Sequence, residues 1–124
     1  MTSTRQAGQA AVELALVTPL LFVLLLVVVQ VGLVVRDEVL VVNAAREGAR
    51  AAAVDPAPDA AEKAAAAVPG LDPARLRVTV RRGTGPGATV RVDVDYQAPT
   101  DVPVLSGFVR AVSVHGDAVV RIET

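Results

Sequence analysis

The chain has no cysteine, no tryptophan and very few aromatic side chains, which make up 2% of its 124 residues. The absence of cysteine excludes disulfides and thiolate metal sites, so a small domain must be held together by packing or by partners. The only histidine, His115, has no neighbouring residues at the spacing of a metal site. We therefore expect no metal and no cofactor.

Charge is balanced rather than concentrated. Twelve basic and thirteen acidic residues give a formal net charge of −1. This overall charge indicates neither a nucleic-acid partner nor an anionic membrane surface. Most of the arginines between positions 75 and 91 alternate with apolar residues or face aspartates, and stacking aromatics are missing. This pattern favours an ion-paired sheet surface over a nucleic-acid interface.

One long segment without charge is present, Leu14–Val35. As a helix it would measure about 33 Å at 1.5 Å per residue, enough to cross a hydrocarbon core of about 30 Å. The segment is longer than the apolar part of a cleaved secretory signal, about 7–15 residues. We expect a single transmembrane helix bent at Pro19. Gln30 and Gly32 either face a partner helix or are simply tolerated in lipid.

A lone carboxylate, Glu13, stands at the mouth of this segment, five residues after Gly8. An acid there is costly, by roughly 2.5 kcal/mol at the centre of a membrane helix and less near an interface. Glu13 either extends to water, or it works together with Gly8. A peptidase cut after Gly8 would make Gln9 a new amino terminus, and Glu13 could pair with that amine in a neighbouring subunit.

The helix is expected to continue to residue 54, because the first breaker cluster is Asp55-Pro56-Ala57-Pro58. Its second half is amphipathic. The polar face carries Arg36, Asn43, Glu47 and Arg50, and the opposite, alanine-rich face carries Val41, Val42, Ala45, Ala49 and Ala52.

A second, short helix is predicted from Asp59 to about Val68, with Asp59 and Glu62 at the spacing of a capping box. The chain then changes to a period of two, which predicts strands around residues 75–82, 88–96 and 111–123. Gly83–Gly87 matches a hairpin turn rather than a phosphate loop. Pairing Arg82 with Ala88 would place Arg77 opposite Asp93 and Arg75 opposite Asp95. The loop Pro99–Gly107 would cover one end of the sheet with Val102, Val104 and Leu105.

The predicted fold is therefore α+β: a long transmembrane helix that continues as an amphipathic helix, a short helix, and a three-stranded antiparallel sheet. Residues 1–8 would form a cytoplasmic leader, 9–54 the N-terminal helix and 55–124 an extracytoplasmic domain. His115, Ser106 and Ser113 lack the arrangement of a catalytic triad. Asp93 and Asp95 are more simply salt-bridged than catalytic. We expect that the chain is not an enzyme.

Two motifs resemble the TadE-like family, the pseudopilins of tight-adherence (Flp-type) pilus systems. The first runs from Gly8 through Glu13 into Leu-Ala-Leu-Val-Thr-Pro-Leu-Leu, and the second is Asn43-Ala-Ala-Arg46-Glu47-Gly48-Ala-Arg50. Flp pilins commonly carry tyrosine after the glutamate, where this chain has Leu14. The resemblance covers about the first 50 residues and implies a pilin-like fold.

The resemblance also implies a function. Prepilin peptidase would cut between Gly8 and Gln9, and the product would be a minor subunit that assembles with other pilus subunits in the cytoplasmic membrane. Asn43, Arg46, Glu47 and Arg50 would share a role in assembly, although pairing along the helix would also explain them. The alternatives are an uncleaved single-pass envelope protein with an exported binding domain, and a membrane-tethered enzyme.

Overall fold

The computed structural model of the chain describes residues 2–99 and 112–122. It confirms the α+β architecture: a long N-terminal apolar helix, a short second helix and a three-stranded antiparallel sheet. A single turn of 3-10 helix leads into the sheet. The elements are α1, Thr2–Val54; α2, Ala60–Ala66; the 3-10 helix Pro73–Arg75; β1, Leu76–Arg82; β2, Thr89–Ala98; and β3, Val112–Arg121.

Within the part of the chain that the structure describes, the first half of α1 is largely uncovered, although Gln30 is buried and Val34 packs against the core of the domain. Most large apolar side chains of Leu14–Val35 are exposed, from 40% at Val27 to 73% at Leu16. The helix is long and apolar enough to cross a membrane, and none of its most apolar stretch, with a mean hydropathy of 2.8, is buried. A core helix of a globular protein would be covered by its own chain, so this half of α1 needs lipid or other helices around it.

The second half of α1 lies across the sheet through the alanine-rich face that the sequence indicates. Two glycines allow the close approach. A Cβ at Gly116 of β3 would lie 3.0 Å from the backbone nitrogen of Val42, and a Cβ at Gly48 would lie 3.2 Å from Cγ1 of Val92 in β2. The fully buried core includes residues from both layers, Val41, Ala44, Ala45, Ala49, Val90, Val92 and Val94.

The sheet has the order β1-β2-β3, with both neighbouring pairs antiparallel. The faces of β1 and β2 agree with the sequence prediction, but the predicted register is wrong by two residues. Val80 pairs with Val92 rather than Val90, and Arg77 pairs with Asp95 rather than Asp93. The cause is the hairpin, whose connection runs to Ala88 because a tight turn closes from Gly85 to Ala88 and Gly83 still pairs with Thr89. A shift of two keeps every side chain on its face.

Two local expectations also need correction. Asp59 is at the N-cap of α2, but its side chain makes no capping hydrogen bond. It instead pairs with Lys63 at 2.6 Å, and the hydrogen bond from that ammonium lowers the pKa of Asp59. Arg75 belongs to the 3-10 helix and not to the strand, because Pro73 and the Asp72 side chain, which accepts from the Ala74 amide, hold a tight turn.

The domain has a proximal end, next to Val35, and a distal end, next to Val54. At the distal end Arg82 of β1 donates to the backbone oxygens of Ala52 (2.8 Å) and Asp55 (3.1 Å). At the proximal end the turn after α2 lies against α1, since a Cβ at Gly70 would lie 3.0 Å from Leu40. Strand β1 therefore runs away from the apolar half of α1.

Strand β3 has the predicted alternation. Val114 and Gly116 face α1, and Ser113, His115 and Asp117 face outward. Several predicted features lie outside the described residues: Ala111 and Glu123 at the ends of the third strand, Ser106, and the covering role of Val102, Val104 and Leu105.

Candidate functional site

The predicted processing site, Gly8 and Gln9, and the predicted assembly residue Glu13 lie on the exposed N-terminal turns of α1. Gly8 has open space around it, since an added Cβ would meet nothing within 4 Å. The amide of Gln9 donates to the Glu13 carboxylate at 3.5 Å, a long contact on an exposed surface. Gly8 lies within regular helix, whereas a peptidase substrate needs extended backbone. Apart from proline, glycine has the least favourable helix propensity, by about 1 kcal/mol relative to alanine. A helix therefore unwinds at a glycine at low cost.

The second predicted group, Asn43, Arg46, Glu47 and Arg50, forms the exposed flank of α1 opposite its buried face. Pairing along the helix, the simpler explanation of their spacing, is not observed. No hydrogen bond or ion pair within the described part of the chain joins these four side chains to one another or to other residues. Their polar groups are therefore available to a partner.

This flank borders one edge of the sheet, because within residues 2–99 and 112–122 strand β3 pairs only with β2. Two shallow grooves follow α1 along that side, and Arg46 contributes to both. We call them together the α1–β3 groove. The proximal one has a volume of about 330 Å³ and is lined by Val35, Glu38, Val39, Val42, Asn43 and Arg46. The distal one has a volume of about 430 Å³ and is lined by Arg46, Arg50, Asp117, Ala118, Val119 and Val120.

The outer face of the sheet carries an ion-pair network centred on Asp93 of the middle strand. The side chain of Asp93 is only 11% exposed, because Arg81, Arg91 and His115 surround it at 3.4–3.9 Å. Arg91 also reaches Asp117 at 3.1 Å. The sequence indicates ion pairing on this face, and the structure shows it, with different partners because of the shifted register.

His115 belongs to the same network. Its Nδ1 lies 2.9 Å from Asp95. Ser113, on the same face, accepts a hydrogen bond from Gln97 at 2.9 Å and makes none to the histidine. Residues 2–99 and 112–122 contain no group of three histidine or acidic side chains that could hold a metal ion.

Sequence reasoning missed the α1–β3 groove and the burial of Asp93. The groove depends on which strand lies beside α1, and no local pattern in a three-stranded sheet decides that. The burial of Asp93 had a partial signal in the sequence, because Asp93 lies near the centre of the second predicted strand, opposite an arginine in the predicted pairing.

A family model described as TadE-like protein matches residues 8–50. The matched segment begins at Gly8, includes the whole apolar stretch and ends at Arg50, and it confirms the resemblance that the two motifs carry. Comparison with curated proteins and with solved structures gives no match.

Proposed function

We propose, from the premise that this chain is TadE-like over residues 8–50, that it is a pilus-associated membrane protein of a tight-adherence system. More specifically, it is a minor pilin-like subunit that prepilin peptidase processes and that assembles through α1. The observation that carries this proposal is the bare apolar half of α1, which follows directly on Gly8 and Glu13. Such a helix must be covered by lipid before assembly and can be covered by sister helices afterwards.

Processing would occur between Gly8 and Gln9. The absence of a side chain at Gly8 and the open space around it favour access by the peptidase, and local unwinding would supply the extended backbone. The cut removes the first eight residues and leaves Gln9 as a charged amino terminus at the membrane surface.

Glu13 would then guide assembly. Its carboxylate is exposed, and its only contact among the described residues is the long one from Gln9. A carboxylate at the lipid boundary is stabilised when a neighbouring subunit brings the new amine to it, and a subunit in the wrong register leaves the charge unpaired. The pair thus favours one arrangement of helices over others.

The proposed orientation has a cytoplasmic N-terminus and an extracytoplasmic sheet domain in the inner membrane. The likeness to pilin-like subunits, with a folded domain after a single span, supports this orientation, although Arg36, Arg46 and Arg50 follow the span and the positive-inside rule weights such residues the other way. The exposed flank of Asn43, Arg46, Glu47 and Arg50 would then contact other subunits or the assembly machinery.

The protein would perform no chemistry of its own. The outer-face carboxylates and His115 are engaged with one another and with arginines, and Ser113 has no base within hydrogen-bonding contact among the described residues.

The test is the mass of the mature N-terminal peptide in cells that build the pilus. We expect a chain that begins at Gln9. Gly8→Val should abolish the cut, because a branched side chain would occupy the position before the scissile bond. Gly32→Val is the matched control, since Gly32 is also a helical glycine with open space around it. A wild-type chain that keeps Met1 or Thr2 would contradict the processing step.

One observation favours a second candidate, an uncleaved anchor whose exported domain binds another envelope protein or a saccharide. Gly8 lies inside continuous helix, so the protein as folded does not present an extended site. The same peptide measurement separates the two: an intact N-terminus together with a stable membrane protein supports the anchor.

A further inference from the structure

The outer face of the sheet has a groove at its proximal end that none of the preceding roles uses. Its volume is about 440 Å³, and it is lined by Ala74, Arg75, Leu76, Arg77, Asp95, Gln97 and Ser113. We call it the basal groove. It lies where β1 begins and β2 ends, and it borders the Asp93 network at Asp95, which contacts His115.

The arginines of this face differ in how they are paired. The distal ones are occupied, because Arg81 and Arg91 both contact Asp93. In the basal groove Arg77 makes no ion pair among the described residues, although Asp95 is its neighbour in register, because Asp95 is engaged by His115 at 2.9 Å.

Arg75 is the second cation of the groove, and it is also weakly engaged. Its only ion pair among the described residues is with Asp72 at 3.7 Å, between two half-exposed side chains. Two guanidinium groups therefore line one concave surface with their hydrogen-bonding capacity largely free. Planar guanidinium groups match the geometry of phosphate oxygens.

The height of the groove relative to the membrane follows from contacts with α1. Val34, inside the apolar segment, packs against the core of the domain, so the base of the domain reaches the end of the span. The turn before the groove lies against α1 as well, since a Cβ at Gly70 would lie 3.1 Å from the Arg36 guanidinium. The Asp72 amide of that turn donates to the Tyr96 hydroxyl at 3.2 Å, which ties the sheet base to it.

We propose that the basal groove binds the headgroup of an anionic phospholipid in the leaflet from which α1 emerges. Arg75 and Arg77 hold the phosphate, and the Ser113 hydroxyl, which accepts from Gln97 at 2.9 Å, keeps its own hydrogen free to donate to a headgroup oxygen. This inference rests on α1 spanning the membrane and does not depend on a pilus role.

The consequence for the molecule is orientation. A single span leaves a domain free to rotate and tilt about the helix, whereas a headgroup bound at the proximal end of the outer sheet face fixes which side faces the bilayer. The α1–β3 groove lies along α1 and, in its distal part, β3, whereas the basal groove lies on the outer face of the sheet, so bound lipid leaves the α1–β3 groove accessible.

The test uses the full chain in nanodiscs of phosphatidylcholine mixed with phosphatidylglycerol. Native mass spectrometry of the released protein measures how far phosphatidylglycerol is enriched over its share of the disc. We expect enrichment for the wild type and a fall of roughly fivefold per arginine in Arg75→Gln/Arg77→Gln, since one arginine near an anionic bilayer contributes on that order.

The matched control is Arg81→Gln/Arg121→Gln, which removes the same charge from the distal end of the same face. Enrichment should be unchanged there. Absence of enrichment in the wild type, or an equal fall in both double variants, would overturn the proposal, because the latter means general attraction to charge. All four arginines are exposed on the surface, and circular dichroism checks that the variants remain folded.

A final arm separates lipid from free phosphate. Inorganic phosphate added to the discs should leave the enrichment unchanged, because a soluble anion lacks the acyl chains that hold a headgroup at this height. If phosphate shifts the Arg77 side-chain resonance in phosphatidylcholine discs while phosphatidylglycerol is not enriched, the groove binds the free anion and the lipid proposal is wrong.

Discussion

Two glycines set the distance between α1 and the sheet. Gly116 is the tighter one, since an added Cβ would lie 3.0–3.1 Å from backbone atoms of Val41 and Val42. A helix backbone cannot give way as the end of a flexible side chain can, so the layers would have to separate. Their separation would loosen the buried alanines between them.

We predict that Gly116→Val destabilises the domain by about 2–3 kcal/mol, the upper part of the usual range for overpacking. Ser113→Val is the control, because it adds the same side chain to the exposed face of the same strand. Thermal unfolding of the full chain in detergent measures both. Equal melting temperatures for the two variants would show that α1 does not rest on Gly116.

Asp93 shows how a charge becomes buried on an open face. It occupies the middle of the middle strand, and the arginines and the histidine that pair with it also cover it. Water is excluded from Asp93 only while these neighbouring side chains remain in place. The network therefore contributes to the packing of the outer sheet face.

Among the elements, the extents of the helices and the faces of the strands could be predicted from the sequence. The Asp55-Pro56 breaker ended α1 where expected, and the alternation of Val90, Val92 and Val94 identified the buried face of β2. These are local signals. No local signal fixes the β1–β2 register. The three glycines of the connection allow several turn lengths, and the alternation of side chains is compatible with every second turn length.

The observed β1–β2 register predicts which pairs of engineered cysteines can form a disulfide. No native cysteine is present to compete with them. We expect Arg77→Cys/Asp95→Cys to form a disulfide on mild oxidation, because directly opposed residues have Cα atoms about 4.5–5.5 Å apart. Arg77→Cys/Asp93→Cys should not, since a diagonal pair lies about 7–8 Å apart. The reverse result on a non-reducing gel, with the Asp93 pair linked, would support the shorter turn.

The candidate site was predictable from sequence only in part. The Gly8–Glu13 and Asn43–Arg50 motifs could be located because they are contiguous, and the family match covers both. The surface beside the second motif could not be predicted from the sequence. The α1–β3 groove exists because β3, the last strand, is an edge strand beside α1, a tertiary choice that no single segment encodes.

At the scale of the whole molecule, the exposed apolar part of α1 and the small packed domain have separate roles. The domain is stabilised by its own core, while most large apolar side chains between Leu14 and Val31 are exposed. Under the proposed function, assembly with other subunits covers this helix, and Glu13 directs that step.

Pili per cell should be counted in a strain whose only copy carries Glu13→Gln, with Glu62→Gln, an exposed acid of α2 outside the α1–β3 groove, as the control. We expect Glu13→Gln to reduce the number of pili sharply while the protein reaches its normal level in the membrane, and we expect the control to have no effect. Normal pilus numbers with Glu13→Gln would contradict the assembly role of Glu13.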